Sequence, residues 1–99
     1  MIIIGLSSQP LQSIDQVYRR AMEIPRLPDY IKGKGFYGYT SLEDGVGIQI
    51  YEFDGARAEE ALWDIAQPYS KFYDIPGYRY ELKLGFKARE VMQRYLESR

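Results

Sequence analysis

The chain contains neither cysteine nor histidine. Without cysteine it has no disulfide framework, thiol nucleophile, iron–sulfur cluster or cysteine-ligated zinc. Without histidine it lacks the commonest general base, the commonest metal ligand and the usual haem ligand. These absences exclude most metal centres and most pairs of nucleophile and base, and we expect neither a cofactor nor a metal.

An excess of positive charge is also missing, as is any long apolar run. Thirteen Lys and Arg residues stand against fourteen Asp and Glu residues, which gives a net charge of −1 and an isoelectric point near 5.4. This balance argues against binding to nucleic acid or to an anionic membrane. The apolar N-terminal run is too short for a signal peptide, and no run is long enough for a transmembrane helix. We therefore expect a cytoplasmic protein.

The 99 residues are enough for one domain, which we place over residues 1–99. A β-branched run at Ile2–Leu6 predicts a central strand that is buried on both faces. An apolar stripe at helical spacing then predicts a helix from Ile14 to about Ile24, where a proline follows. Ser13 and Gln16 have the spacing of a capping box at its start.

The middle of the chain has the pattern of a β-hairpin. Residues Phe36–Thr40 have strong strand composition, and Val46–Tyr51 alternate between apolar and other side chains. The segment between them, Leu42–Gly45, predicts the turn, with Asp44-Gly45 supplying a positive φ.

A second helix and a fourth strand are predicted after the hairpin. Asp54 is a suitable N-cap, and Pro68 should end the helix near Gln67. Residues 69–74 then read as an aromatic loop, followed by a strand at Tyr78–Leu84 with one solvated face. A short amphipathic C-terminal helix is predicted from an apolar stripe of Val91, Met92, Tyr95 and Leu96.

The order strand, helix, strand, strand, helix, strand predicts an α+β fold of the ferredoxin-like βαββαβ type with an added C-terminal helix. The first and third strands should lie in the centre of an antiparallel sheet, with both helices on one face. Val46, Ile48 and Ile50 would then lie on the other face with at least one isoleucine of the first strand. Such an aliphatic patch needs a cover, either a second copy of the chain or the C-terminal helix. We expect a homodimer that forms through this face.

The order and spacing of these elements, from Ile2 through the hairpin at Asp44-Gly45 to Leu84, resemble the dimeric α+β barrel superfamily. Among its members, the chain most resembles the small uncharacterised ones that consist of a single domain. The resemblance implies two ferredoxin-like sheets around a shared interior. Members include cofactor-independent monooxygenases, haem-degrading enzymes, dehydratases and proteins without a known reaction. The haem-degrading members typically use a histidine ligand, which this chain lacks.

Two other motifs point elsewhere but lie in the wrong context. The segment 34–39, KGFYGY, echoes the aromatic motif of RNA-recognition modules, yet it falls on a predicted edge strand. The central strand offers Val46 and Ile48 where stacking aromatics should stand, so we expect no RNA binding. The glycines at positions 33, 35 and 38 match GxGxxG but lead into a strand instead of a helix, which excludes a dinucleotide fingerprint.

Tyrosine is the most over-represented residue, with ten in the chain. Tyrosine hydroxyls on strands suit a cavity for a hydrophobic or planar ligand. A glutamine within a central strand must be hydrogen-bonded when it is buried, by the framework or by a ligand. A tryptophan on the second helix lines a pocket or packs between helix and sheet. The candidate ligand-binding residues are Tyr39, Gln49, Tyr51, Trp63 and Arg79. Tyr18 and Tyr95 lie on helical stripes and are predicted to be core residues.

The sequence thus predicts a homodimeric module that encloses a tyrosine-lined cavity for a small organic ligand. One alternative, which the resemblance permits, is a cofactor-independent enzyme of the monooxygenase or isomerase type. In it a tyrosine hydroxyl or Arg79 would stabilise an oxyanion, with Tyr39, Tyr51 and Arg79 as the candidates. A second alternative is a small interaction subunit of a larger complex.

Overall fold

The computed structural model describes residues 1–98, which form an α+β fold with a four-stranded antiparallel sheet and three α-helices. The strands are β1 (Ile2–Pro10), β2 (Lys32–Thr40), β3 (Asp44–Glu52) and β4 (Arg79–Gly85). The helices are α1 (Ile14–Met22), α2 (Ala58–Ser70) and α3 (Ala88–Glu97). Short 3-10 turns at Leu11–Ser13 and Gly55–Arg57 precede α1 and α2. The predicted α+β class is confirmed. No helix within residues 1–98 has the length and apolar character that crossing a bilayer requires.

The strand order is β2-β3-β1-β4, so β1 and β3 are central and β2 and β4 form the edges. Each strand is antiparallel to its neighbours. Gly5 of β1 lies opposite Gln49 of β3 on one side and Leu82 of β4 on the other. An irregularity in β2 between Gly33 and Gly35 shifts its register against β3.

The hydrophobic core lies between the sheet and α2. Ile3 of β1 and Ile65 of α2 are completely buried, because the strand presents its odd-numbered positions to the helix. The main cluster consists of Ile3, Ile31, Tyr51, Phe53, Ala61, Ile65 and Tyr69. A smaller cluster joins α1 to the segment after α2 through Val17, Phe72 and Ile75. Both α1 and α2 therefore cover one face of the sheet.

The opposite face of the sheet, which we call the open face, carries a half-buried aliphatic patch. The register aligns Ile4 with Ile50 and Leu6 with Ile48, at positions that alternate with the buried Ile3 and Tyr51. Charged side chains border the patch on β4 and tyrosines border it on β2. The bordering residues are Arg79, Glu81 and Lys83 on β4, with Tyr37 and Tyr39 on β2.

The C-terminal helix α3 does not cover the open face. The Cα trace measures 51 × 30 × 17 Å, and 17 Å accommodates a sheet with helices on one side only. Helices on both sides would need about 25 Å, because each helix layer adds about 10 Å. The apolar stripe of α3 remains more than half exposed at Val91, Met92, Tyr95 and Leu96.

The hairpin between β2 and β3 is confirmed, but the predicted turn chemistry is wrong. Asp44 and Gly45 already belong to β3, and within residues 1–98 a positive φ occurs at Gly77 instead. The turn is closed by Ser41, whose backbone N–H donates to the Asp44 carbonyl at 2.8 Å and whose hydroxyl accepts from the Asp44 N–H at 3.1 Å. Hydrogen bonds of Ser41 thus stabilise the turn, and the positive φ that the sequence predicted at Asp44-Gly45 is not needed.

Helix α2 extends past the predicted end at Gln67 and includes Pro68. The last turn persists because Tyr69, predicted to lie in a loop, is buried in the core. The capping box at Ser13 is also absent, since the Ser13 hydroxyl donates to the Pro76 carbonyl at 3.0 Å. Asp54 does cap the second helical segment, as its carboxylate accepts from the Ala56 N–H at 3.0 Å.

The two tyrosines predicted to be core residues are exposed. Tyr18 is 61% exposed because α1 does not pack closely on the sheet at that point, and Tyr95 is 59% exposed on α3. In both cases the helical stripe is present, but the surface it should pack against is not close enough.

Candidate functional site: a tyrosine-lined cleft

A cleft of about 740 Å³ opens between α1 and the helix-facing side of β2 and β3. Its α1 wall includes Ile14, Val17 and Ala21. Six of the ten tyrosines border it, namely Tyr18, Tyr37, Tyr39, Tyr51, Tyr69 and Tyr78. Tyr37 and Tyr39 do so only at the β2 rim, because they alternate with Gly38 and belong to the open face. Among the described residues that line it, none is Asp, Glu, Lys or Arg, so this part of the chain gives the cleft no charge.

The cleft exists because its floor is built from glycine. Gly38, Gly45 and Gly47 all lie at helix-facing positions of the hairpin, where side chains would otherwise fill the space below α1. A Cβ atom at Gly47 would lie 2.9 Å from the Ser7 hydroxyl oxygen and 3.4 Å from the Phe36 ring. The glycine row therefore keeps the sheet surface flat and low at this point.

A hydrogen-bonded cluster of Gln49, Tyr51 and Tyr69 lies at one end of the floor. The side-chain oxygen of Gln49 accepts from the Tyr69 hydroxyl at 2.8 Å and also from the Tyr51 hydroxyl. The two hydroxyl oxygens are 3.0 Å apart. The pair of phenols thus fixes the orientation of the Gln49 amide, with its oxygen turned towards the tyrosines.

Gly5 makes room for this cluster. It lies directly opposite Gln49 in the sheet, and the Tyr69 hydroxyl occupies the space that a Cβ atom at Gly5 would need. Such a Cβ would also lie 2.9 Å from the ring carbon that carries the hydroxyl. A glycine at this position is required for α2 to bring Tyr69 onto the strand.

Stacked aromatic rings form the rear wall of the cleft. The rings of Phe72 and Tyr78 stack with centroids 4.8 Å apart, and those of Tyr69 and Tyr80 stack at 5.3 Å. Tyr78 and Tyr80 meet at 6.4 Å, so the four rings form one continuous chain. This wall presents aromatic surface to any molecule in the cleft.

Burial keeps the tyrosines of the cleft in their neutral form. It raises the pKa of Tyr78 to about 12, and it holds the pKa of Tyr51 and of Tyr69 above the ordinary value for a phenol. At neutral pH these side chains are hydrogen-bonding phenols, and none of them is poised to act as a general base.

Alkaline titration is expected to show this directly. A group whose pKa is raised by folding contributes stability below its unfolded pKa, and that stability is lost as the pH rises through its folded value. For Tyr78 the loss falls between about pH 10 and about pH 12. We expect the phenolate absorbance of Tyr51, Tyr69 and Tyr78 to appear over the same pH range as unfolding. Circular dichroism measures the unfolding. Ionisation of all ten tyrosines while the fold persists would contradict the burial of these three.

The structure brings together only some of the five candidate residues. Gln49 and Tyr51 are in direct contact, whereas Tyr39 touches only the β2 rim of the cleft, at a strand position that belongs to the open face. Trp63 is 70% exposed on α2, where it neither lines the cleft nor packs between helix and sheet. Arg79 is paired with Ser8 on the open face, so it lies on the opposite side of the sheet from Tyr51.

Sequence reasoning missed the residues that complete the site, chiefly Tyr69, Gly5 and Gln9. A glycine inside the aliphatic run of β1 is a signal of close approach by another group, which here is Tyr69. The glycines at positions 45 and 47, two residues apart in one strand, similarly indicate a groove on one face. Gln9 lies beyond the predicted end of β1, so no pattern placed it near the hairpin.

No group of three or more acidic side chains within residues 1–98 is arranged to hold a metal ion. No protein-family model matches the chain, and no curated protein matches it. Its fold is similar to that of a solved structure described as "De novo designed protein Foldit4". The two share 16% sequence identity over 87% of this chain and 97% of the other, with a TM-score of 0.54. This likeness concerns the small α+β fold alone.

Proposed function

We propose that the protein is a homodimeric module that binds a small organic molecule in the tyrosine-lined cleft. The observation that carries the proposal is the uncharged cleft of about 740 Å³ with an oriented amide at its floor. Ligand sites of this kind are concave, largely apolar and supplied with a few fixed polar groups. The glycine floor keeps the space open, and the buried phenols of Tyr51 and Tyr69 hold Gln49 in place.

The chemistry of the cleft favours binding over acid–base catalysis. No carboxylate or basic side chain within residues 1–98 lines it, and burial raises the pKa of Tyr51, Tyr69 and Tyr78. The hydroxyls of Tyr51 and Tyr69 already donate to Gln49. Arg79, the cationic candidate for an oxyanion site, lies on the open face and is separated from Tyr51 by the sheet.

We propose that each copy has a ferredoxin-like arrangement and that two copies pair through the open face. The size of this face supports the dimer. A face four strands wide and seven residues long measures about 19 Å by 23 Å, a projected area of about 440 Å². Its accessible area is larger than this projection, because side chains roughen the face. The open face is thus of the same order as the roughly 800 Å² that each partner buries in a standard interface. A second copy therefore fits the size of the uncovered surface.

The bordering side chains are also self-complementary. The register places Arg79, Ser8, Val46 and Tyr39 in one row across the sheet. A two-fold axis parallel to the strands sets β4 of each copy over β2 of the other and keeps the rows aligned. The guanidinium of Arg79 then meets the ring of Tyr39, which is a favourable cation–π pair. Aliphatic side chains face each other in the centre.

Nile red, a neutral planar dye, tests the cleft. Ala21 lines the cleft from α1, and Ala21→Trp places an indole inside it. We expect this substitution to weaken dye binding at least about tenfold, because the ring takes the space of the ligand. Gln16→Trp adds the same side chain at an exposed position of α1 outside the cleft and should leave binding unchanged. Fluorescence titration measures both.

Two results of the dye titration would overturn the binding proposal. Equal dye binding by the parent protein, Ala21→Trp and Gln16→Trp would place the dye elsewhere on the surface. A parent protein without dye binding at concentrations up to the solubility limit would show that the cleft does not take a neutral planar molecule. Circular dichroism of both variants confirms that each remains folded.

A further inference from the structure

Two primary amides lie at opposite ends of the cleft floor, and this arrangement specifies the ligand more closely than the proposed function on which it rests. Gln49 lies opposite Gly5, and Gln9 lies opposite Gly45, on the same face of the paired strands β1 and β3. Both side chains line the cleft. The four-residue separation along the strands corresponds to about 13 Å between their backbones.

Gln9 is a buried polar side chain without an internal partner. It is 7% exposed, and its amide makes no hydrogen bond to any group within residues 1–98. Its unpaired amide atoms are not completely enclosed by protein, because no fully buried side-chain nitrogen or oxygen within residues 1–98 lacks a partner. The amide therefore reaches the space of the cleft. A polar group held in this way is stabilised by a molecule that offers it a hydrogen bond.

Gln49 presents a donor to the same space. Its oxygen is taken by the hydroxyls of Tyr51 and Tyr69, whereas its amide nitrogen has no partner among residues 1–98. In this arrangement both phenols donate to the amide oxygen, so the two N–H bonds of Gln49 remain for a ligand. An oxygen that accepts hydrogen bonds, such as a carbonyl oxygen, complements this end of the cleft.

The floor between the two amides suits a flat molecule. Ser7 and Gly47 lie opposite each other in the middle, so these two positions raise nothing larger than a hydroxymethyl group, and the ring of Phe36 borders them on β2. The stacked rings of Phe72 and Tyr78 form one wall of the same space. Ring systems bind well between aromatic surfaces and backbone floors of this kind.

We propose that the cleft takes an elongated, uncharged, planar molecule with a hydrogen-bond-accepting oxygen at each end. One oxygen accepts from the amide nitrogen of Gln49, and the other accepts from the amide of Gln9. The ligand is uncharged because no charged side chain of the cleft would compensate the loss of its hydration. Gln49 and Gln9 are thus the specificity-determining residues, and Tyr51 and Tyr69 position the first of them.

A series of four probes of similar ring size tests the assignment by NMR titration. Umbelliferone methyl ether has oxygen acceptors at both ends, coumarin has one, naphthalene has none, and the carboxylate derivative of coumarin is charged. We expect affinity to fall about fivefold with each acceptor removed, as for a neutral hydrogen bond. The charged probe should bind most weakly. Only probes with an acceptor should shift the side-chain amide resonances of Gln49 and Gln9.

Isosteric variants locate the two hydrogen bonds. Gln49→Glu keeps the acceptor for both phenols, which favour the ionised carboxylate, but it removes the donor to the ligand. We expect it to weaken the binding of umbelliferone methyl ether at least about tenfold at mildly alkaline pH, where Glu is ionised. Gln9→Glu should act likewise at the other end. Gln67→Glu, an exposed position on α2 outside the cleft, adds the same charge and should have no effect.

The outcomes separate this inference from the proposed function. Equal affinity for the three neutral probes, with shifts in the cleft but none in the two amide side chains, would overturn the ligand class and leave the cleft as a binding site. Absence of any cleft shift with all probes, together with absent Nile red binding, would overturn both. Preferential binding of the charged probe would overturn the requirement for an uncharged ligand.

Discussion

Gly5→Ala is expected to destabilise the protein by about 2 kcal/mol, as is typical of overpacking in a close-packed interior. The added Cβ occupies the space of the Tyr69 hydroxyl, so the ring must move away from β1. That movement breaks the hydrogen bond from Tyr69 to Gln49 and disturbs the contact of Tyr69 with Tyr51. Ligand binding should weaken together with stability, since the Gln49 amide loses one of the two phenols that orient it.

Two further variants make the result specific. Gly33→Ala adds the same methyl group to β2 at a position where no atom lies within 4 Å of the new Cβ, so it should change stability little. Tyr69→Phe removes the hydroxyl and should reduce the cost of Gly5→Ala when the two are combined. Chemical denaturation of the four proteins measures this coupling. An equal cost of Gly5→Ala with Tyr and with Phe at position 69 would refute the contact with the Tyr69 hydroxyl as the cause.

The elements that the sequence predicts well are those set by local periodicity. The alternation in β3 and the apolar stripe of α1 placed these elements nearly where they occur, because both patterns depend only on neighbouring residues. The errors arise where a residue distant in sequence determines the end of a helix or the hydrogen bond of a side chain. Pro68 remains helical because Tyr69 is buried against the sheet, and Ser13 leaves its capping role to bond Pro76. Neither partner is visible in the local sequence.

The candidate site divides in the same way. Gln49 and Tyr51 were identifiable because a glutamine and a tyrosine interrupt an aliphatic central strand. Trp63 was a plausible neighbour by composition, but the rotation of α2 turns it to solvent. Tyr69, which completes the cluster, lies twenty residues from Gln49 and reaches it only through the packing of α2 over Gly5. The functional face of a helix thus depends on the sheet position that it meets.

Ile48→Asp is expected to abolish the proposed dimer. Ile48 lies at the centre of the open face, beside Leu6 and at a position that alternates with the buried Tyr51. A two-fold axis buries both copies of the new carboxylate in an aliphatic interface without a partner. The cost is at least about 4 kcal/mol per dimer, which raises the dissociation constant about a thousandfold. Sedimentation velocity over a wide concentration range measures the change.

A surface variant and the cleft itself supply the controls. Leu42→Asp introduces the same charge at a side chain that is 97% exposed in the hairpin turn, and it should leave the dimer intact. Because Ile48 and the glycine floor lie on opposite faces of β3, the monomeric Ile48→Asp variant should still bind Nile red. Loss of the dye together with the dimer would mean that the second copy completes the cleft. A parent protein that sediments as a monomer at every concentration would refute the homodimer and leave the cleft as a site within one chain.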